Sequence, residues 1–265
     1  YLQELHNGGG VVFATGTLIS NSISELFVWQ YLLQKQTLDD MNIGYFDNWA
    51  SVFGVITQSI EVKPSGDGFR PRTRFSNFVN LNELCNLFGE VFDIAKTADM
   101  NLKLPAIQNG KPEMIICEKS PEQELQTDAG IERARKIEAK MVQPDEDNML
   151  AVCTYMTKVA LDARIIDPEA EEYDGGKVAL CAEKIIEINK ANPGTAQAVF
   201  CDTNTPKKDA FSVYQALRDR LVRSGEFTEN EIAFVHDAAN DKQRLAMFEK
   251  VNNAEIKIII GSTGK

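Results

Sequence analysis

A small polar turn, Thr15-Gly16-Thr17, closes the apolar run Val11-Val12-Phe13-Ala14, and Asn21 and Ser22-Ile23-Ser24-Glu25 follow it. Four apolar residues between turn residues suit a strand buried on both faces, as in a parallel sheet. In open α/β sheets ligands are met at the carboxyl ends of such strands, so this turn is the first place to look for a site. A second candidate is Arg70-Pro71-Arg72-Thr73-Arg74, the densest basic cluster in the chain. Its guanidinium groups could contact phosphates. They could equally form a solvated edge, with the arginine stems lying over Phe69 and Phe75.

Residues for bond-breaking chemistry are harder to find. Nucleotide hydrolysis needs a Gly-rich loop with a Lys to cradle phosphates, and an acidic pair to hold Mg²⁺ and orient water. In Gly261-Ser262-Thr263-Gly264-Lys265 the spacing from the first glycine to Gly-Lys is too short for such a loop. Asp145-Glu146 sits in a polar loop, not at the end of an apolar strand. His236 precedes Asp237 at a strand end, with no nucleophile or metal ligand paired to it in sequence. Asp202 follows an apolar strand, but the next residues, Thr203-Asn204-Thr205-Pro206, favour a helix cap over a cation site. The five cysteines (Cys85, Cys117, Cys153, Cys181, Cys201) are widely spaced and form no Cys-x-x-Cys pair. Neither a disulfide framework nor a zinc site is indicated, and a reducing, cytoplasmic setting fits. No catalytic residue and no metal ligand are assigned.

The elements that must position these groups fall into three parts. Over residues 1–60, the Ser22/Glu25 spacing is that of a capping box, and Leu26, Phe27 and Tyr31 predict a helix to about Gln36. A polar connection over Thr37–Gly44 follows, and then an amphipathic helix over Phe46–Ile60. Residues 61–166 read as a mainly helical insertion, with a loop over Lys63–Phe69, a helix over Asn82–Thr97 and an extended stretch over Leu102–Pro112. A strand at Met114–Cys117, a charged helix over Glu122–Met141 and a buried helix over Met149–Ala163 complete it. From 167 to 265 the pattern alternates. Helices at Lys177–Lys190, Asp209–Ser224 and Asp241–Asn252 are interleaved with strands at Ala196–Cys201, Ile232–His236 and Ile256–Ile260. Such alternation calls for a parallel, doubly wound sheet, and the fold class is α/β.

Composition bounds the function. The 265 residues carry a net charge of −11, spread over all three parts, which excludes a globally basic nucleic-acid module. DNA, if bound, is met through local patches. No apolar run approaches the roughly 20 residues of a membrane span, so no membrane partner is expected. The first residues lack an initiator Met and a signal-peptide pattern, which reads as a piece of a longer polypeptide.

Taken together, these strings resemble Swi/Snf-type superfamily-two helicases. Thr15-Gly16-Thr17, Asn21 and Glu25-Leu26 resemble the third motif of that family, with Leu18 where the family usually has Pro. The likeness is closer to one branch, the helicase region of large DNA methylase–helicase proteins of phages and mobile elements. There Phe46-Asp47-Asn48-Trp49-Ala50, Arg70-Pro71-Arg72-Thr73-Arg74-Phe75, Asn80-Leu81-Asn82-Glu83-Leu84 and Leu102-Lys103-Leu104-Pro105 are also similar. Gly176-Lys177, Val199-Phe200-Cys201-Asp202 and Ile260-Gly261-Ser262-Thr263-Gly264 resemble the opening, fourth and fifth motifs of the second RecA-like lobe.

The resemblance implies the tail of a first RecA-like lobe over 1–60 and most of a second over 167–265. It implies an ATP- and Mg²⁺-dependent, DNA-acting motor in the full-length parent, with no cofactor expected in this fragment alone. The partners would be DNA and the rest of the parent polypeptide. Thr15, Gly16, Thr17 and Asn21 would relay between nucleotide and nucleic acid, since small hydroxyl residues exchange hydrogen-bond partners at little cost. Ser262, Thr263 and Gly264 would offer N–H groups and hydroxyls to a phosphate backbone. No Asn-Pro-Pro-aromatic motif for methyl transfer is present. The other reading is a non-catalytic α/β scaffold or interaction module, which Leu18 and the acidic charge favour.

Overall fold

The computed structural model describes residues 10–20, 22, 24–63, 65–66, 68–95, 100, 107, 110–206 and 210–264. The chain forms two compact units, Tyr1–Lys63 with Gly68–Ile107, and Pro64–Asp67 with Gln108–Lys265. The architecture is mixed α/β. Residues 1–9, Asn21 and most of the stretch expected to be extended over Leu102–Pro112 lie outside the described residues.

The first unit is built on one aromatic core. Helix α1 (Glu25–Leu33) is followed at once by α2 (Lys35–Asp40) and α3 (Phe46–Phe53). Trp49, wholly buried on α3, meets the rings of Phe27, Phe46, Phe53, Phe75 and Phe78. A buried polar chain threads the same core. Trp49 Nε1 donates to Gln30 Oε1 at 2.6 Å, and Gln34 Nε2 donates to the Leu87 carbonyl at 2.7 Å. These glutamines are satisfied, so their burial is tolerated.

Three expectations for this unit need correction. The Thr37–Gly44 connection is instead largely helix α2, because Leu38 within that polar run is buried (1 % exposed) and anchors it. The helix expected over Phe46–Ile60 stops at Phe53, and Gly54–Val62 is strand β1, paired antiparallel with β2 (Phe69–Phe78). Helical spacing ends where β-branched Val55, Ile56 and Thr57 begin. The junction needs a glycine, since a Cβ added at Gly54 would lie 1.9 Å from the Phe75 ring. Third, Val11–Ala14 forms no strand, and Val12 is 93 % exposed. A strand buried on both faces needs ladder partners on both sides, and the described strands of this unit pair only with each other.

The β1–β2 ribbon has two distinct faces, because side chains alternate along a strand. Glu61 lies opposite Arg70, Ser59 opposite Arg72 and Thr57 opposite Arg74, so these six share one face. The other carries Val62 opposite Phe69, Ile60 opposite Pro71 and Ile56 opposite Phe75. The register slips between Val55 and Ile56, where β2 carries the extra residue Ser76. The bulge turns the strand so that Phe75 and Phe78 both reach the Trp49 core. Helix α4 (Leu81–Gly89) then adds Leu84 and Phe88 to that core.

In the second unit, α5 (Pro121–Glu138) opens with a complete capping box between Ser120 and Gln123. It packs on α6 (Met149–Leu161), where Met156 lies against Gly130 so closely that an added Cβ would meet its sulfur at 2.4 Å. The expected burial of α6 is only partial, with Val152 and Val159 buried and Leu150 exposed. Met114–Cys117 is extended, without the strand pairing expected of it. Then come α7 (Lys177–Ala191), β3 (Gln197–Phe200), α8 (Val213–Arg223), β4 (Ile232–Phe234), α9 (Asp241–Asn252) and β5 (Ile258–Gly261). The strands are parallel, in the order β3-β5-β4, with Ala198 and Ala233 both level with Ile259. The central strand β5 is buried throughout and packs with Ile185, Tyr214, Leu217, Leu221 and Phe234.

A carboxylate-centred network ties residues 162–174 to α8. Arg220 donates to Glu172 at 3.1 Å and to Asp174 at 2.8 Å, and Arg223 donates to Glu172 at 2.6 Å. Burial pushes the Glu172 carboxyl up, but the Arg223 and Arg220 hydrogen bonds outweigh it and hold the carboxyl below its ordinary value. A depressed folded-state value contributes stability above the unfolded-state value, and that stability is lost as pH falls. Glu172→Gln is therefore expected to cost about 1–2 kcal/mol at pH 7. It should also flatten the loss of stability between neutral and acid pH. Urea unfolding midpoints of both proteins at pH 7 and pH 4 check this; parallel acid limbs would refute it.

Candidate functional site

Thr15-Gly16-Thr17 is an exposed turn held by its own hydroxyl. Thr15 Oγ1 accepts from the Thr17 backbone N–H at 3.1 Å and lies 3.1 Å from the Thr17 carbonyl, to which it donates. Nothing lies within 4 Å of a Cβ built on Gly16, so no side chain crowds the turn. The segment is fixed from behind. Leu18 and Ile19 pack on the aromatic core, the Leu18 carbonyl accepts from Trp29 Nε1 at 3.0 Å, and Phe13 stands edge-on to Trp29 at 5.5 Å. Leu18, where the resembled family has Pro, is thus a packing residue.

The predicted capping box is half realised. The helix starts at Glu25, whose carboxylate accepts from the Ser22 backbone N–H at 3.1 Å and the Ser20 N–H at 2.8 Å. A cleft of about 550 Å³ opens beside this turn, lined by Val11–Gly16, Leu18, Trp29, Leu33 and Val91–Ala95. The turn is thereby a solvent-facing polar lip on a mostly apolar cleft.

The three arginines lie where the ribbon puts them, at every second residue of β2. Arg72 and Arg74 are exposed and Arg70 is half-buried. Arg74 donates from Nε to Glu61 Oε1 at 2.6 Å. Among the described residues, Arg70 and Arg72 form no ion pair. Phe69 and Phe75 are on the opposite face of the ribbon, so the arginine stems do not lie over them in the way the solvated-edge reading needs. Period-two spacing in Arg-x-Arg-x-Arg was the signal for a strand with a charged face. Glu61, which balances that face, is a partner that spacing along β2 alone does not reveal.

In the second unit the polar residues singled out in the sequence collect at the carboxyl edge of the parallel sheet. Asp202 follows β3, His236 and Asp237 follow β4, and Ser262–Gly264 follow β5. Asp202 does not cap the next helix. Its Oδ1 accepts from the Thr263 backbone N–H at 2.6 Å and from the Thr263 hydroxyl at 2.9 Å. These bonds hold its carboxyl below the ordinary value. The capping role falls to Ser212, with Asn204 Oδ1 accepting from Val213 N at 2.7 Å. Ser262 is half-buried, and Gly264 is exposed with open space around it.

His236 packs edge-on to Tyr214 at 5.4 Å, and its Nδ1 is buried with no hydrogen-bond partner among the described residues. Burial pushes the Cys181 and Cys201 thiols up, so neither is a ready nucleophile. Among the described residues, no group of three or more His, Cys, Asp or Glu side chains could hold a metal ion, and no helix is long and apolar enough to cross a membrane.

The sequence model of a family described as a probable helicase domain matches residues 2–96. No curated protein and no solved structure matches the chain. Residues 2–96 are therefore similar to a helicase domain. That span encloses the Thr15–Thr17 turn, Asn21 and the arginine-bearing ribbon.

Proposed function

We propose that this chain is part of a DNA-dependent ATPase, a helicase-like motor of the Swi/Snf kind from a DNA methylase–helicase protein. In this reading residues 1–60 are the tail of a first RecA-like lobe, 61–166 an insertion and 167–265 most of a second lobe. The observation that carries it is the helicase-domain match over residues 2–96, which includes the turn whose pattern resembles the third helicase motif. The parallel sheet of the second unit, with helices between its strands, agrees in fold class with such a lobe.

The roles follow from chemistry. ATP and Mg²⁺ belong to the full-length motor. Thr15, Gly16, Thr17 and Asn21 couple the nucleotide state to the DNA track. The Thr15 hydroxyl, now bonded only to its own turn, is free to exchange partners at small cost. Ser262, Thr263 and Gly264 supply donors to a phosphate backbone, with Asp202 holding the Thr263 donors until phosphate replaces it.

A scaffold without motor activity is the second reading. It is favoured by Leu18, which serves the core in place of the family's Pro. Steady-state ATP turnover of a polypeptide extended at both ends, with and without duplex DNA, separates the two. A motor shows turnover that rises with DNA. A scaffold shows none.

A further inference from the structure

We infer that the arginine face of the β1–β2 ribbon binds the major groove side of duplex nucleic acid, with Glu61 as the group that limits its affinity. The inference rests on the DNA-acting reading above and adds which nucleic-acid form is met, and by which surface.

Three observations point the same way. First, Arg70, Arg72 and Arg74 lie on one face in steps of about 7 Å, the rise of two antiparallel residues. Only Arg74 of the three has a carboxylate partner among the described residues. A local run of positive charge in a chain of net charge −11 is an interaction surface for an anion, since the rest of the molecule repels it. Second, a two-stranded ribbon is one of the two protein shapes that enter the major groove, which is about 12 Å wide.

Third, the face carries no ring. Its residues are Thr57, Ser59, Glu61 and the three arginines, while Phe69 and Phe75 are turned to the other side. Single strands are held by stacking bases on aromatic side chains, and this face offers none. Short hydroxyls between arginines suit phosphate and groove-edge hydrogen bonds instead. Glu61 sits among them, opposite Arg70 and bonded to Arg74, where it competes with phosphate for both.

The test is binding of a fluorescein-labelled 20-bp duplex, and of one of its strands alone, to this chain by anisotropy between 50 and 200 mM NaCl. The duplex is expected to bind more tightly than the single strand. Three phosphate contacts give about a 40-fold loss of affinity over that fourfold rise in salt. Arg70→Gln/Arg72→Gln/Arg74→Gln should lower affinity at 50 mM salt about tenfold or more and remove most of the salt dependence. Glu61→Gln should tighten binding about threefold, an increase that a damaged fold does not produce.

The inference is overturned if the triple variant binds like wild type, if the single strand binds as well as the duplex, or if wild type binds neither probe at 50 mM salt. The first two results leave the motor reading standing. The third removes this surface, and the turnover measurement then decides the motor reading by itself.

Discussion

Replacing Trp49 with alanine is expected to unfold the first unit near physiological temperature. The indole is fully buried and lies between Phe27, Phe46, Phe53, Phe75 and Phe78, with centroid separations of 5.6–6.4 Å. Large-to-small changes of a buried aromatic cost about 3–5 kcal/mol in transfer and cavity terms. The indole N–H is also the donor to Gln30 Oε1, and Gln30 is fully buried, so its carbonyl loses its partner as well. A loss of this size is a large share of the roughly 5–15 kcal/mol that holds a domain folded.

Thermal unfolding followed by far-UV circular dichroism should show the Trp49→Ala transition lowered by about 15 °C or more for a unit of this size. Trp49→Phe keeps the ring and loses the donor, so it should fall between the two. A Trp49→Ala protein that melts within a few degrees of wild type would mean that this residue is not the centre of the core. The ribbon would suffer with it, because Phe75 and Phe78 are the anchors that fix its base.

The second large effect is at Tyr214. Its side chain is fully buried on α8, stands edge-on to Phe234 at 5.5 Å and to His236 at 5.4 Å, and donates its hydroxyl to the Cys201 carbonyl at 2.6 Å. Tyr214→Ala is expected to cost about 3–5 kcal/mol. Tyr214→Phe keeps the packing, loses one hydrogen bond, and should cost about 1 kcal/mol.

The phenol also gives a pH signature. Burial, with Cys201 and Asp202 nearby, pushes its pKa from the ordinary 10.0 up to about 12. The folded protein then holds the proton where the unfolded chain has released it, so stability falls as pH rises from about 10 to 12. Tyr214→Phe should lack that alkaline fall, and urea midpoints at pH 9 and pH 11 read it directly. Equal alkaline losses in both proteins would contradict the buried, neutral phenol.

How much of this was legible in the sequence differs between the two ends. The alternating pattern of the last hundred residues reappears as α7-β3-α8-β4-α9-β5, with a parallel sheet and boundaries displaced by a few residues. It was legible because apolar runs such as Ile258-Ile259-Ile260 are short, bounded by polar turns and separated by helices with a clear face. The first unit was less legible. Phe46, Trp49, Ala50 and Phe53 have helical spacing, and the apolar residues after Gly54 continue without a break in hydrophobicity. Only the period changes, from 3.6 to 2, and a nine-residue strand gives few repeats in which to see it.

Val11–Ala14 misled for the opposite reason. Its composition is that of an interior strand, but strand formation depends on ladder partners that its local sequence does not specify. At the candidate sites, residue types were readable and partnerships were not. Asp202 was readable as a cap or cation ligand, yet it bonds Thr263, sixty-one residues away, because β3 and β5 are neighbours in the sheet. Glu61 reaches Arg74 for a similar reason, through the hairpin.

The most direct measurement is ATP turnover by a polypeptide extended at both ends, compared with a Thr15→Val/Thr17→Val variant, with and without a saturating 20-bp duplex. A coupled motor predicts turnover that duplex DNA raises severalfold in the wild type. In the variant, duplex binding should persist while the stimulation is lost, because the hydroxyls of the Thr15–Thr17 turn no longer exchange partners between nucleotide and DNA. Turnover that is absent from the wild type, or indifferent to DNA, would contradict the motor, and full stimulation in the variant would contradict the role given to the turn.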